Sequence, residues 1–155
     1  MKIIVAFVSL VFWAGIASAS NHFNVEATGC VPDSGSAGVF TQSVSGVSIK
    51  SGTPNGYYIL YCPLNYSDSQ TVTTFTENIF GASGGATIYA YFISLSYATG
   101  ATTTVASITC SPTSSVHSCG TSLSFAMSPA AETYWVMINF AYNGTTSYLM
   151  NVQLN

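Results

Sequence analysis

The sequence predicts an all-β domain, a two-sheet antiparallel β-sandwich with jelly-roll-like or Ig-like connections, about eight strands and two disulfides. Three observations predict it. From Val39 onward, short runs of β-branched and aromatic residues alternate with clusters of Gly, Ser, Asn and Pro, the pattern of a sandwich or barrel. No segment carries the 3.6-residue apolar period of an amphipathic helix. Four cysteines, Cys30, Cys62, Cys110 and Cys119, all follow a leader-like N-terminus, and an even number in that context reads as disulfides.

Taken in order, residues 1–19 have the three parts of a cleavable signal peptide. Lys2 supplies the positive charge, Ile3 to Ile16 the apolar stretch, and Ala17-Ser18-Ala19 the small residues before the cut. A membrane-spanning helix needs roughly 20 apolar residues, so cleavage before Ser20 is expected rather than anchoring. No other segment is long and apolar enough to span a bilayer. Cys30 lies too far past the apolar stretch to be a lipid-modified N-terminus. What remains, 20–155, is expected to be one domain, a length that can bury around two thirds of its unfolded surface.

Residues 20–38 read as an irregular segment held by its disulfide. Strands are expected at 38–49, 57–62, 71–80, 87–97, 102–110, 121–127, 134–142 and 147–154. The breaks between them carry turn chemistry at Gly52-Thr53-Pro54-Asn55-Gly56, Gly81-Ala82-Ser83-Gly84-Gly85, Ala98-Thr99-Gly100, Ser128-Pro129 and Asn143-Gly144. Asn143-Gly144 between two apolar runs is the strongest hairpin signal in the chain. Within 87–97, Tyr89, Tyr91, Ile93 and Leu95 share one face while Ile88, Ala90 and Phe92 share the other. The run 134–142 is likewise apolar on both faces, so both are expected to be central strands. Leu123-Phe125-Met127 and Tyr148-Met150-Val152-Leu154 alternate more cleanly and read as half-exposed flanking strands.

Four cysteines allow three pairings. Cys110 and Cys119 bracket a polar loop between strand-like runs, so their pairing is expected to close a local hairpin and to leave Cys30 with Cys62. A metal site using His117 beside Cys119 is the competing reading, but the spacings lack the paired CxxC pattern of zinc sites. Neither a metal nor a cofactor is expected.

Cys30-Val31-Pro32-Asp33, Leu60-Tyr61-Cys62-Pro63-Leu64 and the terminal Asn151-Val152-Gln153-Leu154 give the chain a further context. On these segments it resembles a loose set of bacterial exported proteins with a CxP segment, a YCP strand and a final apolar strand. The resemblance implies a β-sandwich and a periplasmic or extracellular location; it carries no activity. The Cys110 and Cys119 pair and the scarcity of charge depart from that set.

Charge narrows the function. Only 5% of the chain is charged, against about 25% in ordinary soluble domains. After cleavage, five acids (Glu26, Asp33, Asp68, Glu77 and Glu132) face one base, Lys50. Neutralising phosphates takes several Lys or Arg, so nucleic acid is excluded as a partner, and anionic membrane surfaces are disfavoured for the same reason. Solubility rests instead on 23 Ser and 18 Thr, and the charges that usually keep strand edges apart are nearly gone.

Catalytic chemistry is hard to find. Gly81-Ala82-Ser83-Gly84-Gly85 matches the letters of the GxSxG nucleophile motif, but that motif needs a strand-to-helix turn and here joins two strand-like runs. A Ser83, His117 and Asp68 triad can be written down, yet geometry alone defines a triad. Glycosidase chemistry needs two carboxylates across a cleft, and the five acids are isolated in sequence. Glu77 can share a face with Phe75 and Ile79, although a solvated edge position is the simpler expectation; Asp33 and Asp68 read as turn formers and Glu132 as a loop charge. Two N-glycosylation sequons, Asn65-Tyr66-Ser67 and Asn143-Gly144-Thr145, matter only in a eukaryotic host.

Aromatic residues are the remaining resource. Tyr57, Tyr58, Tyr61 and Trp135 are candidates for a platform on which sugars stack, since flat amphipathic rings suit apolar sugar faces; ordinary core packing is the competing role. The sequence therefore points to a secreted or periplasmic, non-catalytic module that acts by surface contact on a glycan or protein ligand at the cell envelope. The alternative is a structural subunit that self-associates through its sheet edges into a filament or matrix.

Overall fold

The computed structural model describes residues 23–64, 66 and 68–155. The expected signal peptide, His22, and Asn65 and Ser67 of the first sequon lie outside the described residues. Within them the chain forms eleven strands, more than the eight expected. They are β1 (Phe23–Glu26), β2 (Val31–Pro32), β3 (Phe40–Ser43), β4 (Gly46–Ile49), β5 (Gly56–Pro63), β6 (Gln70–Gly81), β7 (Thr87–Ser96), β8 (Thr102–Cys110), β9 (His117–Met127), β10 (Glu132–Tyr142) and β11 (Ser147–Leu154).

Part of the extra count comes from the run 38–49, which is a hairpin rather than one strand. The chain reverses at Val44-Ser45, where Ser43 Oγ accepts from the Ser45 N–H and donates to the Gly46 carbonyl. Gly46 has a φ of 116°, and a Cβ there would sit 2.1 Å from the Leu149 carbonyl oxygen, so only glycine permits this approach. The rest comes from the N-terminal segment, which is not irregular throughout. Its first four described residues pair with β11, Phe23 opposite Leu154 and Val25 opposite Val152.

Two antiparallel sheets result. Sheet A runs β3-β4-β11-β6-β9, with β1 also on β11, and sheet B runs β2-β5-β10-β7-β8. From β4 onward every connection except β7–β8 passes from one sheet to the other, which is a jelly roll. The inner faces meet in one core, with Val47, Ile49, Phe75, Ile79, Leu149 and Val152 from sheet A and Leu60, Ile88, Phe92, Val136, Ile138 and Phe140 from sheet B, all fully or nearly buried. An aromatic cluster fills one end. Phe92 meets Phe75 at 6.2 Å, Phe125 at 5.6 Å and Tyr134 at 5.9 Å between ring centroids. Each such ring contributes roughly 1.5–3 kcal/mol by leaving water, and the buried Tyr134 hydroxyl accepts from the Ser128 N–H at 2.7 Å. Burial pushes its phenol up to about 12.

The crossing topology corrects two local readings. Asn143-Gly144 does not make a hairpin, because β10 is paired on both sides by β5 and β7 while β11 is paired by β4, β1 and β6. Gly144 does adopt the positive φ that the motif foretells, 92°. The apolar inner faces of β10 and β11 are buried against each other's sheets instead of side by side, and Asn143 ties the arch to its neighbour by donating to the Gly84 carbonyl. Likewise β11 is not a flanking strand but the middle of sheet A. The run 87–97 and the run 134–142 do lie inside sheet B as β7 and β10.

The disulfides follow the same geometry. Cys110 is bonded to Cys119 with 5.6 Å between Cα atoms, but the bond joins edge strands of different sheets and so staples the sandwich rather than closing a hairpin. Cys30 is bonded to Cys62 and ties the segment between β1 and β2 onto β5. Asp33 and Ser36 extend that hold, since Ser36 N–H donates to Asp33 Oδ1 at 2.7 Å and Ser36 Oγ accepts from the Ile59 N–H at 2.8 Å.

Candidate functional site

The strand register decides which side chains leave the core. In β10, Tyr134, Val136, Ile138, Phe140 and Tyr142 are buried and the residues between them are not, so Trp135, Met137, Asn139 and Ala141 project outward. On either side, β5 contributes Tyr57, Ile59, Tyr61 and Pro63, and β7 contributes Tyr89, Tyr91 and Ile93. The register lines these up in cross-strand rows. One row is Tyr61, Met137, Tyr91 and Ser107; the next on one side is Pro63, Trp135, Ile93 and Thr104, and on the other Ile59, Asn139, Tyr89 and Thr109.

The outer face of sheet B is therefore an aromatic and aliphatic surface with no charged side chain in these rows. Tyr61 and Tyr91 stand two strands apart, roughly 10 Å. Trp135 lies diagonally from both, at about 7–8 Å in such ladders. Tyr57 is 71% exposed and Tyr61 40%. The one amide in the middle of the face is Asn139, and its Oδ1 has no hydrogen-bond partner although it is covered.

Of the four residues singled out as stacking candidates, Tyr57, Tyr61 and Trp135 come together on this face. Tyr58 does not; adjacent residues of a strand point oppositely, and its ring turns inward while its hydroxyl donates to the Pro54 carbonyl at 2.8 Å. Sequence reasoning missed Tyr89, Tyr91, Met137 and Asn139 as members of the site. The signal was available, because Tyr89 and Tyr91 alternate opposite the buried Ile88, Ala90 and Phe92.

The outer face of sheet A is built differently. It carries Thr74, Thr76, Asn78, Ser118, Ser122, Asn151 and Gln153, in register, and Asn78 bridges two of them. Asn78 Nδ2 donates to Asn151 Oδ1 at 2.6 Å, and Asn78 Oδ1 accepts from Ser118 Oγ. A single aromatic pair, Phe80 and Tyr148 at 6.1 Å, sits at one end.

Among the described residues, groups suited to acid–base or nucleophilic chemistry do not converge. Asp68 precedes β6 and Ser83 follows it, and a strand of that length spans roughly 35–40 Å, which rules out a Ser83, His117 and Asp68 triad. Ser83 sits in an exposed turn between β6 and β7, without the helix a GxSxG elbow needs. Cys110, His117 and Cys119 lie close enough to share an ion, but both sulfurs are consumed by their disulfide. Two open grooves beside β1, about 520 and 300 Å³, share Glu26 as their one carboxylate, short of the pair that glycoside hydrolysis uses.

Glu77 departs most from expectation. It occupies no solvated edge; it lies on the inner face of β6, fully buried, opposite Cys119 and Val152. Neither carboxyl oxygen has a partner, and burial alone pushes its pKa well above 4.5. A carboxylate there would be strongly penalised, so the group is held in its neutral form over a wider pH range than an exposed glutamate.

These features define a disulfide-stapled jelly-roll sandwich with one aromatic outer face. The sequence matches no protein-family model and no curated protein. Among solved structures the chain is similar to a mutant family 29 carbohydrate-binding module studied for ligand recognition. The two are 12% identical with a TM-score of 0.42, over 87% of this chain and 80% of that one.

Proposed function

We propose that the protein is an exported, non-catalytic binding module whose contact surface is the outer face of sheet B and whose ligand is a glycan of the cell envelope or its surroundings. The observation that carries this reading is the cluster of Tyr57, Tyr61, Tyr89, Tyr91 and Trp135 brought onto one uncharged face by the register of β5, β10 and β7. Flat rings with a polar tip suit ligands whose own surface alternates apolar C–H patches with hydroxyls. Export, with cleavage before Ser20, is part of the proposal, and two structural disulfides support it. The test is affinity electrophoresis of residues 20–155 through gels containing polysaccharides. Retardation that disappears in Trp135→Ala supports the reading; wild-type mobility equal to that of Trp135→Ala in every gel contradicts it.

One observation favours the second reading, a self-assembling structural subunit. The edge strand β8, Thr102–Cys110, carries neither charge nor proline, so the usual blocks to strand addition are missing. Against it, the β7–β8 ladder slips at Val105 between the pairs of Phe92 and Ile93, and such a bulge is itself a device that blunts an edge. Light scattering of the oxidised protein separates the two readings, a monomer at micromolar concentration favouring the binding module.

A further inference from the structure

The face also constrains the kind of glycan, and this inference rests on the binding reading above. We propose that the ligand is an uncharged polysaccharide bound along its length, with the Asn139 amide reading one of its hydroxyls.

Three observations lead there. The first is charge. The outward rows across β5, β10, β7 and β8 contain no Asp, Glu, Lys, Arg or His; at the β2 edge Asp33 is bonded to the Ile59 carbonyl through its N–H and accepts from the Ser36 N–H, and Lys50 is engaged elsewhere, donating to the Gly38 carbonyl at 2.6 Å. A uronate or sulfated sugar would lose hydration on this surface and meet no compensating cation, whereas a neutral sugar loses far less. The second is shape. A site for a chain end or a monosaccharide encloses its ligand, whereas the outward residues here stand side by side in cross-strand rows of one sheet. An open face touches each sugar ring from one side only, so useful affinity must be summed over several contiguous units. Five strands give it a width of about 20 Å, room for such a segment.

The third is Asn139. Its Oδ1 is covered by the surrounding side chains and has no partner, while the comparable amide on sheet A, Asn78, is bonded at both ends. Buried polar atoms are nearly always paired. This unpaired acceptor lies between Ile59 and Tyr89, in the middle of an apolar platform; once the side chains over it part on binding, a ligand hydroxyl supplies the donor that the chain does not. One fixed polar contact among stacking rings supplies orientation that the rings alone do not.

The experiment titrates residues 20–155 with neutral β-glucan, xylan and mannan oligosaccharides of increasing length and with oligogalacturonate, by calorimetry, using wild type, Asn139→Ala and the volume-preserving Asn139→Leu. The expected result is binding to at least one neutral series, affinity that climbs with chain length and then levels, and none to the uronate. Both Asn139 variants should bind about tenfold more weakly, the weight of one hydrogen bond, and the melting temperature of Asn139→Leu should be no lower than that of wild type, because the lost acceptor has no partner in the folded chain. Preferred binding of the uronate overturns the inference and leaves the binding reading intact. Wild-type affinity in both Asn139 variants, or tightest binding to a monosaccharide, overturns it too. Absence of binding to every sugar overturns the underlying reading with it, and a concentration-dependent dimer abolished by Trp135→Ala assigns the face to a second copy of the chain instead.

Discussion

The two sheets present opposite surfaces from the same backbone plan. On sheet A, hydroxyls and amides face outward and bond to each other, as Asn78 does with Asn151 and Ser118. On sheet B the outward positions hold Tyr57, Tyr61, Tyr89, Tyr91, Trp135 and Met137, and the central amide oxygen is unpaired. Packing the shared core requires only that the inner faces be apolar. An outer face that is aromatic, uncharged and incompletely satisfied contributes nothing that the core needs, and it lowers solubility in a chain already poor in charge. The contrast is what the proposed reading rests on: sheet A's outer surface holds a hydrogen-bonded network, whereas sheet B's, in that reading, is the surface a ligand covers.

Four substitutions test that contrast. Replacing Cys110 and Cys119 together with Ser removes the staple between the edges of the two sheets; stability measured by urea unfolding is expected to fall by roughly 3 kcal/mol on the chain-entropy estimate. Glycan affinity should not change, since the face lies on the other side of sheet B. Trp135→Ala is expected to weaken glycan binding by about 30-fold, equivalent to about 2 kcal/mol and typical of an aromatic anchor. Loss of folding instead of affinity would mean the ring is a structural cover.

Glu77 supplies a prediction about the interior that both faces share. Its pKa in the folded chain is raised by burial, so the folded state keeps a proton that the unfolded chain releases. Stability is then fullest below about 4.5, the ordinary value, and declines as pH rises through the raised folded value, above which it levels. The slope is at most about 1.4 kcal/mol per pH unit for a single proton. In Glu77→Gln that segment of the stability profile should flatten; an identical slope in the variant would contradict the burial. The smallest effect is expected on sheet A. Gln153→Ala, half-buried on its outer face, should change both stability and glycan affinity by no more than about 0.5 kcal/mol, as surface substitutions away from the core do.

Much of this was legible in the sequence because β structure writes its signal locally. The alternation in 87–97 and 134–142, the turn clusters and the cysteine count were enough for a two-sheet sandwich. What the local signal lacks is pairing over distance. Asn143-Gly144 specifies a turn, and Gly144 makes it, but nothing in those two letters says whether β10 and β11 lie side by side or across the core from each other. Alternation also says which residues share a face without saying which face is buried. Tyr57 and Tyr58 differ by one position and end on opposite sides, and β7 and β10 are apolar on both, so the aromatic platform was only half visible. Glu77 was misplaced for the opposite reason: its charge argued for solvent, while its parity with Phe75 and Ile79 argued for the core, and parity prevailed.

In the proposed reading, ligand meets sheet B and not sheet A. Nuclear magnetic resonance of isotope-labelled residues 20–155, titrated with the best-binding neutral oligosaccharide, tests it directly. The prediction is that shifts concentrate on the Trp135 indole, the Tyr61 and Tyr91 rings, the Met137 methyl and the Asn139 amide, with Asn78, Gln153 and the Phe80–Tyr148 pair unmoved. Shifts gathered on that sheet A set instead would contradict it.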